Sequence, residues 1–317
     1  MIAAVTIVIP NYNGADLLRR NLPTVFSAAR AYSADTRIIV VDDGSTDDSV
    51  AILKKEFPQA LVIEHQQNRG FADAAFSGVM AAETELIFLL NSDVQPDEDC
   101  IAPMVRYFSD EATFSVSCLV RDDDGSINRH SWNLRRFYLG DLKAQPWGLE
   151  AALQRQQEHH LLTLYATGGS MLLRRSLFLQ LGGFCPIFKP FYSEDYDLGL
   201  RAWRRGWYSY FEPRSRVLHQ SMGSIKSNVR LQYVKQIRRR NKYLLEWIHL
   251  PAWRLWTTVI PLQLWRLIGE LLILDAVNLK GFVGALGRIP GVLTARAEIK
   301  STQKLEFGAV LDLVNRA

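Results

Sequence analysis

Along the first half of the chain, short runs of apolar and β-branched residues alternate with longer segments of helical period. The short runs are VTIVI (5–9), RIIVV (37–41), ALVIE (60–64) and LIFLL (86–90); the longer segments cover 14–30, 46–57, 70–82 and 97–109. Such alternation predicts an α/β fold: a Rossmann-like, mostly parallel sheet with right-handed crossovers and helices on both faces. Apolar runs with almost no polar interruption suit strands covered on both sides. Residues 121–165 are less regular. There RDDDGS is a turn signal, and the Trp132–Trp147 stretch reads as an insertion or lid. Next, MLLRR (171–175) predicts a strand and SLFLQLGGF a short helix ending at Gly182–Gly183. DYDLGLRAWRR (195–205) predicts a helix opened by acids. WYSYFE and RVLH read as two short final strands.

Beyond Ser221 the pattern changes, which divides the chain into residues 1–222 and a C-terminal helical extension, 223–317. Residues 228–249 predict a long basic helix. Residues 252–275 are rich in Trp, Leu and Ile, but Arg254, Arg266 and Glu270 interrupt them and Pro261 predicts a kink. A membrane-spanning helix needs about 20 apolar residues with few charges. The favoured reading is therefore an amphipathic helix lying in a membrane interface. A transmembrane hairpin and an ordinary bundle packed on the main domain are the alternatives.

Charge sharpens that division. The net charge is +4, yet residues 1–200 hold 17 Lys+Arg against 26 Asp+Glu, and residues 201–317 hold 20 against 7. A basic C-terminal third implies a polyanionic partner, and nucleic acid and an anionic membrane surface both qualify. The first 200 residues show no aromatics interleaved with a basic groove, so no nucleic-acid partner is expected. Three Cys without metal-type spacing suggest a reducing compartment. MIAAVTIVIPNYNG lacks a charged n-region and reads as a first strand, not a signal peptide.

In an open parallel sheet, ligands bind beyond the carboxyl ends of the strands. The successive strands are followed by Pro10-Asn11-Tyr12-Asn13, Asp42-Asp43-Gly44-Ser45, Gln67-Asn68-Arg69-Gly70 and Asn91-Ser92-Asp93, and the last by His219. Each has an ordinary reading. Ser45 or Thr46 could cap a helix, Arg69 could be a solvated helix-start residue, and Asp93 could close an Asx-turn or cap a helix. A lone His219 is more often a satisfied structural histidine than a ligand. Their joint occurrence at one sheet edge argues for a ligand site. Neither GxGxxG nor a P-loop follows the first strand, which disfavours both of those phosphate cradles. A diphosphate can instead be held by a divalent cation that carboxylates bind. Asp42 is then placed for a pyrimidine base or ribose, and Asp93 for metal and sugar.

VTIVIPNYNG (5–14), VVDDGSTDDS (40–49), NRGFADA (68–74), LLNSDV (89–94), GGSMLLRR (168–175), SEDYDLGLRAWRRGW (193–207) and VLH (217–219) together resemble the family 2 glycosyltransferases of GT-A fold. The resemblance covers about residues 5–220 in the expected order. It implies an inverting enzyme that moves a sugar from a UDP- or dTDP-sugar donor to a glycan hydroxyl. The implied acceptor is a lipid-linked cell-surface polysaccharide precursor, as for bacterial rhamnosyltransferases. By the same resemblance, Pro10, Asn11, Tyr12, Asp42, Asp43, Arg69, Gly70, Asn91 and Ser92 bind the nucleotide. Asp93 and His219 hold Mg²⁺ or Mn²⁺, and Gly168, Gly169 and Ser170 meet the sugar and acceptor. Asp195 is the catalytic base, with Glu194 as the other candidate. An N-cap of the 195–205 helix is a second duty for Asp195. Asp197 is assigned to the helix dipole or to a supporting position. The metal motif is often Asp-x-Asp; here Asn91 offers a neutral oxygen in place of the first carboxylate.

Three rival readings fit the sequence less well. A processive polysaccharide synthase would add several spanning helices and a Gln-x-x-Arg-Trp motif, which this sequence lacks. A nucleotidyltransferase would open with a Gly- and Arg-rich loop, unlike PNYNG. A non-catalytic membrane module would not need Asp42, Asp93, Asp195 and His219 together. The implied location is cytoplasmic, peripheral on the inner face of the membrane, with Arg238–Arg240 and Lys242 meeting anionic headgroups. The sequence is compatible with an oligomer and does not specify one.

Overall fold

The computed structural model describes residues 3–33, 35–138, 140–220, 230–272 and 276–316. Strands β1 (Val5–Asn11), β2 (Arg37–Asp42), β3 (Leu61–Glu64) and β4 (Leu86–Leu90) alternate with helices α1 (Ala15–Tyr32), α2 (Ser49–Glu56) and α3 (Phe71–Ala81). These strands pair in parallel in the order β3-β2-β1-β4. The chain continues through β5 (Val94–Pro96), α4 (Ile101–Val105), β6 (Thr113–Asp122), β7 (Arg135–Tyr138), β8 (Asp141–Ala144), α5 (Leu149–Gln156) and β9 (Leu161–Leu162). Then follow β10 (Ser170–Arg174), α6 (Arg175–Gln180), α7 (Glu194–Arg204) and β11 (Tyr208–His219). Strand β10 inserts antiparallel between β4 and β6, and β11 runs parallel to β6. The sheet is mixed but mostly parallel in direction.

Period-two alternation places one sheet between two helical layers. Ile7, Ile9, Phe88 and Leu90 share a core with Leu18, Leu22 and Val25 of α1. Val8, Ile87 and Leu89 share another with Ala74, Ala75 and Val79 of α3. Full burial of each such aliphatic or aromatic side chain stabilises by roughly 1.5–3 kcal/mol. β3 is the sheet edge, and there Leu61 stays exposed.

Several elements differ from the expectation. Segment 97–109 is not one helix but α4 followed by a 3₁₀ turn, Arg106–Ser109. Pro103 has no N–H for the carbonyl four residues back, so the helix can start only just before it. WYSYFE and RVLH form one strand, β11, with a register shift between Glu212 and Arg216. That irregularity accommodates Pro213, which cannot donate to a regular ladder. The irregular 121–165 region contains the β7–β8 hairpin, α5 and β9. Trp132 pins it by stacking on Phe211 with ring centroids 5.7 Å apart.

The C-terminal helices are α8 (Leu231–His249), α9 (Ile260–Leu272), α10 (Ala276–Leu286), α11 (Ile289–Thr302) and α12 (Phe307–Arg316). The expected domain boundary at 222/223, the first residues of the 228–249 helix and residues 273–275 lie outside the described residues. The 252–275 segment is not continuous α-helix. A helical turn at Ala252–Arg254 and a π-helical stretch at Leu255–Val259 precede α9, so Pro261 sits in the first turn of α9 and not mid-helix. Among the described residues no helix is long and apolar enough to cross a membrane. Tyr243, Leu244 and Trp247 of α8 share a third core with Tyr196, Leu200 and Trp203 of α7 and with Val292, Ile299 and Val310. One expected set of headgroup contacts is corrected here. Arg240 is buried and donates to the Phe188 and Lys189 carbonyls, and Lys242 Nζ lies 2.7 Å from Asp141. Only Arg238 and Arg239 of that group remain exposed.

Candidate active site

Strand register gathers the polar strand ends. Asn11 stands opposite Asp42, Ser170 opposite Leu90, and His219 opposite Val94 on one side and Asp122 on the other. Asn11 Nδ2 donates to Asp42 Oδ2 at 3.0 Å, and the Ser45 amide donates to Asp42 Oδ1 at 2.9 Å. The buried Asp42 carboxylate is thus held rigid, with lone pairs left over for a ligand. Pro10 is buried within β1, while Tyr12 is partly exposed just beyond it. Ser45 and Thr46 do not cap α2. The Asn13 amide donates to Ser45 Oγ and the Thr46 amide to Asn13 Oδ1, both at 2.8 Å, so the DDGSTD turn is clamped to PNYN.

Asp43 has a different job from its neighbour. Its buried carboxylate accepts the Arg69 amide at 3.0 Å and the Gly70 amide at 2.7 Å, and it meets His65 Nδ1 at 2.7 Å. It shapes the 69–70 loop and is not open to a nucleotide. The Arg69 side chain is about half exposed, with Nε 3.6 Å from Asp73.

Beyond β4, Asp93 is buried, yet its Oδ1 has no hydrogen-bond partner, so it is neither cap nor Asx-turn. His219 Nε2 lies 3.6 Å from Asp93 Oδ2, and His219 Nδ1 lies 3.5 Å from Asp122 Oδ1 without a hydrogen bond. Asp93 raises the His219 pKa, burial opposes this, and Asp122 raises it further. An orphaned carboxylate oxygen beside an unsatisfied imidazole suits a hard cation. Among the described residues, no group of three or more His, Cys, Asp or Glu is arranged to hold a metal ion, so Asp93 and His219 supply at most two protein ligands. Asn21 of α1 secures the turn from beneath. Its Nδ2 donates to the Ser92 carbonyl at 2.7 Å, and its Oδ1 accepts from Gln95 and Gln220.

The third component stands at the start of α7. Tyr192 and Ser193 have φ of 74° and 70°, a left-handed conformation that costs non-glycine residues of order 1–2 kcal/mol each. That turn presents Glu194 and Asp195. Asp195 is not the N-cap, since Ser193 holds that position. Its carboxylate accepts the Gly168 amide at 3.2 Å and the Tyr196 amide at 2.8 Å. A Cβ at Gly169 would come within 2.6 Å of Asn91 Nδ2, and the Asn91 amide donates to the Gly169 carbonyl at 2.9 Å. Gly168 and Gly169, followed by Ser170 at the head of β10, therefore bridge Asp195 to the Asn91-Ser92-Asp93 turn.

Burial pushes the Glu194 pKa up to about 8, and the Asp195 charge adds to it. Burial also raises Asp195, but the Gly168 and Tyr196 amides oppose that. Both carboxyls are thus raised, Glu194 with no hydrogen bond on its buried Oε2 and Asp195 with two amide donors. Asp197 faces away from this chemistry. It is buried, with Oδ2 2.7 Å from Arg201 and Oδ1 2.9 Å from His249 of α8.

The profile of Glycosyl transferase family 2 matches residues 6–182, more than half of the chain. This chain belongs to glycosyl transferase family 2. It is a glycosyltransferase. Its similarity to N-acetylglucosaminyl-diphospho-decaprenol L-rhamnosyltransferase from Mycobacterium tuberculosis is 26% identity over 218 residues, covering 62% of this chain and 71% of that one. The structure of GalNAc-T7 with UDP, GalNAc and Mn²⁺ superposes with a TM-score of 0.62 at 18% identity, over 80% of this glycosyltransferase and 49% of that chain. Mannosyltransferase PcManGT from Pyrobaculum calidifontis, in complex with GDP-Man and Mn²⁺, superposes with a TM-score of 0.55 at 19% identity, over 98% and 79%. At those identities the likeness establishes the GT-A architecture.

Several residues of this site had no signal in the sequence. Asn21 lies mid-helix, and His65 sits within the approach to the third loop. Asp122 ends an apolar strand as Asp42 does, but RDDDGS reads first as a turn. The rule that a polar residue closing an apolar run marks the sheet edge would have found Asp122.

Proposed function

We propose that this glycosyltransferase moves a sugar, with inversion, from a UDP- or dTDP-sugar to a hydroxyl of a lipid-linked glycan precursor. The observation that carries the reading is the convergence of Asp42, Asp93 and His219 on one sheet edge, joined to Asp195 through Asn91 and the Gly168-Gly169 turn. Asp42, oriented by Asn11 and Ser45, accepts hydrogen bonds from the base or ribose. Arg69 and Gly70 line the nucleoside on a loop that Asp43 holds. Asp93 and His219 would hold Mg²⁺ or Mn²⁺, which supplies positive charge to the diphosphate when bound. Asp195, held by the Gly168 and Tyr196 amides, takes the proton of the attacking acceptor hydroxyl. The 168–170 backbone packs against the sugar, where a side chain would intrude.

The acceptor reading draws support from the relative named for a diphospho-decaprenol substrate. It also draws on the surface around α9, where Trp253, Trp256 and Trp265 are 62%, 71% and 73% exposed, with Leu264 and Ile268 beside them. Exposed Trp with neighbouring Arg suits the headgroup layer of a cytoplasmic membrane face.

Calorimetry with UDP, dTDP and GDP, with and without Mn²⁺, tests the donor site. The expected result is metal-dependent binding of one pyrimidine diphosphate, abolished by Asp93→Ala. Absence of binding of every nucleotide to the folded protein would overturn the reading and leave a non-catalytic module.

A further inference from the structure

Next to Asp195 lies a group of cations and phenols that the donor chemistry does not use. Arg135, the first residue of β7, donates from Nη2 to Tyr165 Oη at 3.0 Å. Its guanidinium carbon stands 5.6 Å from the centre of the Tyr196 ring, and the Tyr165 and Tyr196 rings stack 4.5 Å apart. Arg135 Nε is buried without a partner, and so is Tyr196 Oη, on a residue only 8% exposed. Arg238 of α8 lies 4.2 Å over the ring of Tyr192, two residues before Glu194. His130 completes the group. Its carbonyl accepts from Thr167, the neighbour of Gly168. Burial lowers the His130 pKa, the charges of Arg135 and Arg238 lower it further, and Asp195 opposes them.

A neutral sugar does not require this arrangement. Two guanidinium groups, a phenol hydroxyl and an imidazole set next to Asp195 form a receptor for a multiply charged anion. The connections of the hairpin say where that anion comes from. From Arg135 the β7–β8 hairpin runs to Asp141, which pairs with Lys242 at 2.7 Å and Arg266 at 2.8 Å. Arg254 lies 4.6 Å over Phe137, and the Gly140 backbone is packed against Leu262. The hairpin thus joins the cationic group at one end to the exposed Trp surface at the other.

We infer that Arg135, Arg238 and His130, with the Tyr196 hydroxyl, form the subsite for the diphosphate of a lipid-linked acceptor, holding its first sugar against Asp195. The lipid lies along the Trp253–Trp265 surface. This inference rests on the lipid-linked acceptor proposed above.

Dodecyl diphosphate binding to the full chain, measured by calorimetry in divalent-free buffer with EDTA, tests it without drawing on the donor's metal site. Wild-type protein is expected to bind saturably. Arg135→Gln and Arg238→Gln should each weaken binding roughly tenfold or more, the loss expected for a charge-assisted hydrogen bond. Arg239→Gln removes an exposed charge from the same helix and should change nothing, and nucleotide binding, measured separately with Mn²⁺, should be unaltered in all three. Should Arg135→Gln fail to fold, Arg238→Gln carries the test, because its side chain lies on the surface. Equal affinity in all variants overturns the subsite. So does failure of wild type to bind the probe while it still binds its nucleotide, which leaves the transferase reading intact. A third arm is flotation on phosphatidylglycerol vesicles. If Arg135→Gln lowers flotation but not probe affinity, the cluster serves the membrane surface and the inference fails. Loss of nucleotide binding in wild type counts against the donor-site reading alone.

Discussion

Glu194 and Asp195 are adjacent carboxylates that burial pushes in the same direction but that differ in their hydrogen bonds. Asp195 receives two amide N–H groups, whereas Glu194 Oε2 is buried without a partner. These contacts support Asp195 as the base of the proposed reaction. Asp195→Asn should lower turnover by about 10²–10⁴-fold while nucleotide affinity in calorimetry is kept. Glu194 has a pH signature of its own. Its pKa rises from 4.5 to about 8 on folding, so its protonated form favours the folded state. That stability is fully present below the unfolded value and is lost as pH rises toward 8. Glu194→Gln should then melt like wild type near about pH 5 and at a higher temperature above about pH 8, where ionising wild-type Glu194 is costly. A melting difference independent of pH would contradict this. Asp43 teaches a related lesson. It stands beside Asp42 in sequence, yet its oxygens are taken up by the 69–70 loop.

Among the elements, α7 connects the most parts. Its first turn carries Asp195, its buried face meets the sheet through Leu198 and Ala202, and its opposite face meets α8 through Tyr196, Leu200 and Trp203. Asp197 locks that junction. Burial raises its pKa, but Arg201 and His249 more than offset the effect and leave it lowered. Removing it strands two buried basic groups. Asp197→Ala should destabilise by about 3–5 kcal/mol in denaturant melts, the range for breaking a buried pair from one side. A loss below about 1 kcal/mol would mean that the junction tolerates the vacancy. Both α7 and β11 show what local pattern can and cannot convey. The acid-led amphipathic period of α7 was legible to within one residue. The continuity of β11 through Pro213 was not, because it depends on pairing with β6, about 100 residues earlier.

Across the whole molecule, an acidic sheet domain carries a basic helical region whose apolar surface is uncovered. The charge asymmetry is visible in the sequence. The choice of contact groups is not: Arg240 is buried against a partner 51 residues away, the half-exposed Lys242 pairs with Asp141, 101 residues away, and Trp253, Trp256 and Trp265 stay exposed. The proposed membrane attachment should therefore depend on aromatic contact more than on those two cations. Replacing Trp253, Trp256 and Trp265 together by Ala should abolish flotation with anionic liposomes, and Lys242→Gln should leave it largely intact. The reverse pattern would restore a purely electrostatic attachment.

The sequence by itself determined the α/β order, the strands buried on both faces and the polar groups that end them. These follow from apolar period and turn chemistry, which act over a few residues. Tertiary structure alone decided which of those groups stay open. Asp42 and Asp93 keep free lone pairs, Asp43 is closed by the 69–70 amides, and Asp122 arrives beside His219 only when β6 and β11 pair. It also decided that Arg135 stands near Asp195, 60 positions further along the chain. A side chain's role at this site depends on whether its hydrogen-bonding capacity is already satisfied. That is settled by partners that only folding brings near.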